Sequence, residues 1–301
     1  MTRIVVWYGQ LISRPQLYRR GLLLVCSGFA WLTLFLAVPL AILLVIAFAS
    51  RSAYGEVEWT FTLENFRRML GFGALGWSSN TLRILLRSAW VGFVTTLISL
   101  LLAYPLAFFI AARPPRTRYL GLTLVIIPFC TNLVIRSYAW MLLLSPELPF
   151  AQLAQWLGLV PHFGALYPSA AAVYIGMVST ALPFTVLPIY TNVERLDWSI
   201  VEAARDLYAS PWRVFFQAVL PQTLPGLSVA IILTFVPAMG MFVIPDLLGG
   251  AKYWLVGNLI QQQFGASRDW PFGAALSFGL MLLTFVGIFL LRRWRAEGEL
   301  V

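Results

Sequence analysis

Apolar runs long enough to cross a lipid bilayer recur along this chain, and they constrain its fold more than any other feature. They occupy roughly 25–49, 80–111, 119–144, 168–190, 222–245 and 270–290. A spanning helix needs about 20 apolar residues, whereas a strand of a membrane barrel needs only about 10. The expected fold class is therefore all-α, a polytopic membrane protein with six transmembrane helices. Composition agrees: 60% of the residues are hydrophobic and 11% charged, against about 25% charged in soluble domains.

The segments between the runs set the topology. All 21 basic residues are arginine except Lys252. Arginines cluster at 3–20, 113–118, 195–213 and 292–295, and basic residues favour the cytoplasmic side. Both termini are thus expected inside, with 1–24 as a cytoplasmic N-terminal segment and 25–301 as the transmembrane domain. The first run is too long for a signal-peptide core and is expected to be retained. The net charge of +9 fits topology and anionic lipid better than nucleic acid. Segments 51–79, 145–167 and 249–268 fall outside, with short helices expected from Thr62 and over Phe150–Leu157. Cys26 and Cys130 lie in apolar runs and read as small buried hydrophobes.

One polar interruption, at 197–221, is larger than the other inner segments. Val201, Ala204 and Leu207 or Tyr208 repeat at helical spacing, which predicts a short amphipathic helix. Ser210 and Pro211 suit the N-cap and first position of a second helix through Trp212, Phe215, Phe216 and Val219. Pro221 and Pro225 are expected to break or bend the chain as it re-enters the membrane. Such a hairpin either docks into another protein or lies on the lipid surface.

The chain carries no metal-ligand cluster, phosphate-binding glycine loop or Walker lysine, so it is better suited to moving a solute than to reacting it. His162, the single histidine, follows Pro161 in an outer loop and reads as a surface residue. Arg136 and Asp246 are ionisable groups in or at apolar runs and need partners or water. Arg136 either snorkels outward or pairs with a carboxylate. Asp246 either lines the outer mouth of a cation pathway or is a helix-end aspartate at the interface. Met239 and Gly240 permit close helix approach, and Tyr138 is among the aromatics able to hold an organic ammonium by cation–π attraction.

The hairpin resembles the cytoplasmic loop of binding-protein-dependent ABC importer permeases. Glu202, Ala203 and Ala204 match the opening of that loop motif and Ala218, Val219, Leu220 and Pro221 its close. Tyr208 stands where the family has glycine, so either the turn is helical here or the partner's groove has room for the ring. Further blocks resemble the permeases of spermidine/putrescine importers, in particular the first of their two different membrane subunits. These are Thr62–Phe66, Ile127–Asn132 with Arg136, Leu182-Pro183-Phe184, Pro237–Gly240, Asp246–Lys252, Gly257-Asn258 and Arg268–Gly273.

The resemblance implies the type I importer fold in a bacterial inner membrane. It implies a second permease subunit, two copies of a cytoplasmic ATPase holding ATP and Mg, an external substrate-binding protein and a small organic cation as cargo. It assigns ATPase contact to Glu202, Ala203, Ala204, Leu207 and Tyr208, with no cofactor in this chain. The expected substrate pathway comprises Asp246, Arg136, Tyr138, Met239 and Gly240. An importer of another solute, such as an opine, an amino-acid derivative, an anion or an iron chelate, and an ion-coupled secondary transporter are the alternatives.

Overall fold

The computed structural model describes residues 15–52, 54–73, 76–156, 166–250 and 253–298. His162 and Lys252 lie outside them. Helix α1, Pro15–Ala47, is followed by a two-strand hairpin of β1, Ser50–Arg51, and β2, Val57–Glu58, then by α2, Glu64–Met69. A second such hairpin pairs β3, Phe72–Gly73, with β4, Gly76–Trp77. Strands of two residues carry no periodic signal, and the sequence predicted only short helices here. Helix α3, Asn80–Ala111, runs unbroken through Pro105.

The third apolar run is not one straight helix. Helix α4, Pro115–Ile126, passes through a 3₁₀ turn at Ile127–Cys130 and re-forms as α5, Leu133–Leu143, with a bend of 97°. Pro128 removes a donor from the turn, and the Asn132 side chain accepts from Val134 N at 2.8 Å, starting a new helix where a single span was expected. Among the described residues five helices are long and apolar enough to cross a membrane, or six if this bent pair counts as one.

Helix α6, Pro149–Trp156, and helix α7, Ala170–Glu194, come next. The polar hairpin comprises α8, Trp198–Asp206, and α9, Pro211–Val214, which continues through a π turn at Phe215–Val219 into α10, Leu220–Gly240. Pro221 and Pro225 therefore do not end the second arm. Pro221 sits in the first turn of α10 beside the π turn, whose wider backbone absorbs the missing hydrogen bond. The arm and the fifth span form one apolar helical run, Pro211–Gly240. After a two-residue break come α11, Val243–Gly249, α12, Val256–Phe264, and α13, Trp270–Gly298.

Helices α3, α7 and α10 pack on one another to form the centre of the bundle. Buried Thr185 and Thr234 share a hydrogen bond of 2.9 Å, and Tyr104 and Thr223 one of 2.6 Å. Such contacts join helices that gain nothing from burying apolar surface against lipid. Helix α1 packs on α13 through Ile46 and Ala47 at its end, which are buried with Ala274 and Ala275, while most apolar side chains of its membrane-crossing stretch stay exposed on this chain alone. Cys26 and Cys130 are exposed too, correcting their assignment as buried: each lies on a surface left for lipid or another subunit.

Helices α7 and α10 approach closely at Gly226, where an added Cβ would lie 2.6 Å from the Pro188 carbonyl oxygen and against the Asn192 amide. Gly226→Ala is expected to destabilise the detergent-solubilised protein by about 1–3 kcal/mol through overpacking. Thermal unfolding checks this, and an unchanged midpoint would contradict the close approach.

Candidate functional site

The hairpin is built from a capped helix folded back on a continuous one. The Ser199 hydroxyl donates to the Asp197 carboxylate at 2.7 Å and Ser199 N does so at 3.0 Å, starting α8. These bonds hold the Asp197 carboxyl below the usual aspartate range. Because the folded value is depressed, the stabilisation is present above the ordinary aspartate pKa and is lost as pH falls through the depressed one. The Gln222 side-chain carbonyl accepts from Asp197 N at 3.0 Å, tying the entry of α8 to α10.

Val201 is buried with Leu196, Val214, Ala218 and Val219, and Ala204 packs against this cluster. Of the Glu202-Ala203-Ala204 triplet, Glu202 and Ala203 are thus exposed while Ala204 faces the hairpin's own core. At the tip, Leu207 is 81% exposed, Tyr208 98% and Trp212 74%. Large apolar side chains this open, on an otherwise polar hairpin, suit burial against another protein or the lipid surface.

The turn settles the question raised by Tyr208. Its φ is 57°, in the left-handed region. Tyr208 N donates to Arg205 O at 2.9 Å and Ala209 N to Ala204 O at 3.2 Å. Together these are the two bonds of a Schellman helix end, normally closed by glycine. The turn is not helical here; the tyrosine adopts glycine's conformation and projects its ring outward.

The five residues expected to line a pathway do not meet at one place. Arg136 lines a cavity of about 560 Å³ whose wall includes Leu124, Thr131, Trp140, Ser179 and Pro183. Its guanidinium donates to the Pro128 carbonyl at 2.6 Å. Arg136 therefore does not snorkel freely, and among the described residues it pairs with no carboxylate; it serves a backbone oxygen in the turn of the broken span. Tyr138 is half-exposed on α5 and does not line that cavity. Met239 is fully buried and packs over Gly92 of α3. Gly240 ends α10, and Asp246 lies exposed in the first turn of α11.

Residues 103–295 match the family described as binding-protein-dependent transport system inner membrane component. The chain is 40% identical over 267 residues to the spermidine/putrescine transport system permease protein PotB of Escherichia coli K12, covering 89% of this chain and 94% of that one. It is 37% identical to PotB of Haemophilus influenzae, covering 88% and 90%. The chain belongs to the binding-protein-dependent transport system inner membrane components. It is an ABC importer permease, a multi-pass protein of the inner membrane. The fold agrees with a crystal structure of a bacterial alginate ABC transporter in complex with a pentasaccharide-bound periplasmic protein. That likeness has a TM-score of 0.69 at 14% identity and covers 93% of this chain and 97% of that one.

Two polar contacts in the permease escaped the sequence. Asn258 Nδ2 donates to Phe242 O at 3.0 Å, and Arg68 pairs with the buried carboxylate of Asp269 at 3.0 Å. Both lie in blocks that carried the resemblance, Gly257-Asn258 and Arg268–Gly273, but spacing alone gave neither a partner.

A left-handed non-glycine residue costs about 1 kcal/mol. Tyr208→Gly is expected to slow amide exchange at 207–209 about fivefold, the equivalent of that energy. Faster exchange in the variant would mean that the ring, not the backbone, holds the turn.

Proposed function

We propose that this permease is one of two different membrane subunits of an ATP-driven importer for spermidine, putrescine or a related organic cation. The observation that carries the proposal is the near end-to-end similarity to PotB, 40% identity across 94% of that protein. Both termini, including 1–24, and the hairpin at 197–221 lie on the cytoplasmic side, and 25–301 forms the permease domain. An external binding protein delivers the cation to the face formed by 51–79, 145–167 and 249–268. Two cytoplasmic ATPase subunits, which hold the ATP and Mg, receive Glu202, Ala203, Leu207 and Tyr208.

The chemistry of the hairpin suits that role. Its tip offers apolar side chains for burial and a carboxylate, Glu202, that forms no ion pair among the described residues. Its second arm is continuous with α10, so a displacement at the tip is carried along a stiff helix into the centre of the bundle. Closure of the ATPase pair favours one packing of the permease helices and reopening favours another, a shift between two states.

One observation favours a different cargo. Arg136 lines the cavity beside the broken span, and no carboxylate lines it with Arg136, which suits an anion. Uptake by the reconstituted complex, measured against polyamines, opines and anionic solutes, separates the two. Concentrative polyamine uptake that requires both binding protein and ATP supports the proposal; uptake confined to an anion overturns it.

Asp246 is an exposed carboxylate at the end of the bundle opposite the hairpin and attracts a cation there. Asp246→Asn is expected to lower polyamine uptake about tenfold, the equivalent of one charge-assisted contact, with assembly intact. Uptake at the unsubstituted rate would remove Asp246 from the pathway.

A further inference from the structure

Helix α12 and the turn after it join two parts of the permease that otherwise touch little. At its start, Asn258 Nδ2 donates to Phe242 O, the carbonyl that opens α11 by accepting from Asp246 N at 3.0 Å, while Asn258 Oδ1 accepts from Leu255 N at 3.3 Å. Gly257 lies against the same break: an added Cβ would clash with Gly240 O and lie 2.9 Å from Met241 O. Val256 N donates to Ser88 Oγ of α3 at 2.7 Å. This end of α12 is therefore fixed to the interrupted fifth span and to the second.

At the other end, Asp269 N donates to Gln263 O at 2.9 Å, and the Asp269 side chain caps α13 through Phe272 N at 3.2 Å. Asp269 is 2% exposed, and its second oxygen accepts from Arg68 of α2 at 3.0 Å. The Arg68 guanidinium also lies over the Phe272 ring, 4.3 Å from its centroid. Helix α2 is itself anchored, because Asn65 Nδ2 donates to Ala47 O and Ala49 O at the end of α1. A buried carboxylate stripped of its partner is strongly destabilised, so the Arg68–Asp269 pair holds α2 to the start of α13. Between the two anchored ends, Leu259 packs with Phe272 and Leu276 of α13. Nine helical residues span about 13 Å.

We infer that α12 is a strut that transmits the state of the α2 surface to the break in the fifth span, with Asn258 and Arg68 as positioning residues at its two ends. This rests on the importer role proposed above, in which α2 faces the binding protein. A docked binding protein displaces or steadies α2; the Arg68–Asp269 pair carries that to the start of α13 and the end of α12. Asn258 and Gly257 then set the geometry of the Gly240–Val243 break, which leads directly to Asp246. Phe242 O accepts from Asp246 N and, among side chains of the described residues, from Asn258 alone, so the start of α11 is tied to α12.

The test uses the complete complex in lipid nanodiscs, with ATP hydrolysis measured without and with loaded binding protein. Asn258→Asp removes the donor to Phe242 O but keeps the acceptor for Leu255 N. Arg68→Gln combined with Asp269→Asn removes the ion pair at the far end without leaving a buried charge unpaired, while the asparagine oxygen still accepts from Phe272 N. Each is expected to lower binding-protein stimulation about tenfold, with assembly and unstimulated hydrolysis unchanged. Arg68→Lys, which keeps the charge, is expected to keep stimulation. Full stimulation in either Asn258→Asp or the Arg68→Gln, Asp269→Asn double variant overturns the strut, and so does a parallel loss of assembly and unstimulated hydrolysis, which is the mark of structural support alone. An unsubstituted complex that no binding protein stimulates overturns the importer role itself, a result distinct from failure of the variants only.

Discussion

A backbone N–H or C=O in hydrocarbon must find its partner within the protein, and an unsatisfied group costs several kcal/mol. The permease meets this constraint with helices through most of its length, and two of the places where a helix is interrupted show how. At Ile127–Cys130 the Pro128 carbonyl accepts from Thr131 N at 3.3 Å and from both Thr131 Oγ1 and the Arg136 guanidinium, each at 2.6 Å, while Asn132 caps the next helix. At the break after Gly240, the Phe242 carbonyl accepts from Asp246 N, opening α11, and from Asn258. The polar side chains that stand out in the apolar runs are thus occupied first with the backbone, and only their remaining surface is available to a solute.

This ordering explains how the two ends of the bundle differ. The hairpin's second arm enters the membrane through a π turn without ending, and its first arm is capped by Asp197 and closed by a complete Schellman end. Toward the opposite end the fifth span breaks into the short helices α11 and α12, which stack on α7 and α13. In the importer role proposed above, a continuous arm joined to a segmented end lets a displacement at the tip change which of two packings is favoured.

The sequence made the membrane spans legible because length and apolarity alone define them: four form long helices within a few residues of their expected limits, while the span expected at 222–245 is a helix over Pro211–Gly240. It did not reveal the break in the third. Pro128 and Asn132 sit in an apolar run that still averages as a span, and the decisive fact is a side-chain cap rather than composition. Pro221 misled in the opposite direction: proline ordinarily ends a helix, but a π turn beside it keeps the run going. In the hairpin, the buried position of Val201 follows from spacing and the start at Pro211 from proline's fitness for a first helical position, although the Ser210 side chain makes no cap bond there. The inward turn of Ala204 and the left-handed Tyr208 needed coordinates. Of the residues expected along a pathway, Met239 is fully buried and Arg136 serves a carbonyl; residue type predicts what a side chain can do but not which group reaches it first.

The central claim is that the tip of the hairpin is the permease's contact with its ATPase. Cysteine placed at Tyr208, with the two native cysteines replaced, tests it by cross-linking to single cysteines in the ATPase groove during the transport cycle. The account predicts a cross-link whose yield changes between the nucleotide-free and ATP-trapped states, and labelling of the free permease from the cytoplasmic side only. Labelling from the opposite side, or no cross-link in any state of an assembled and active complex, would contradict it.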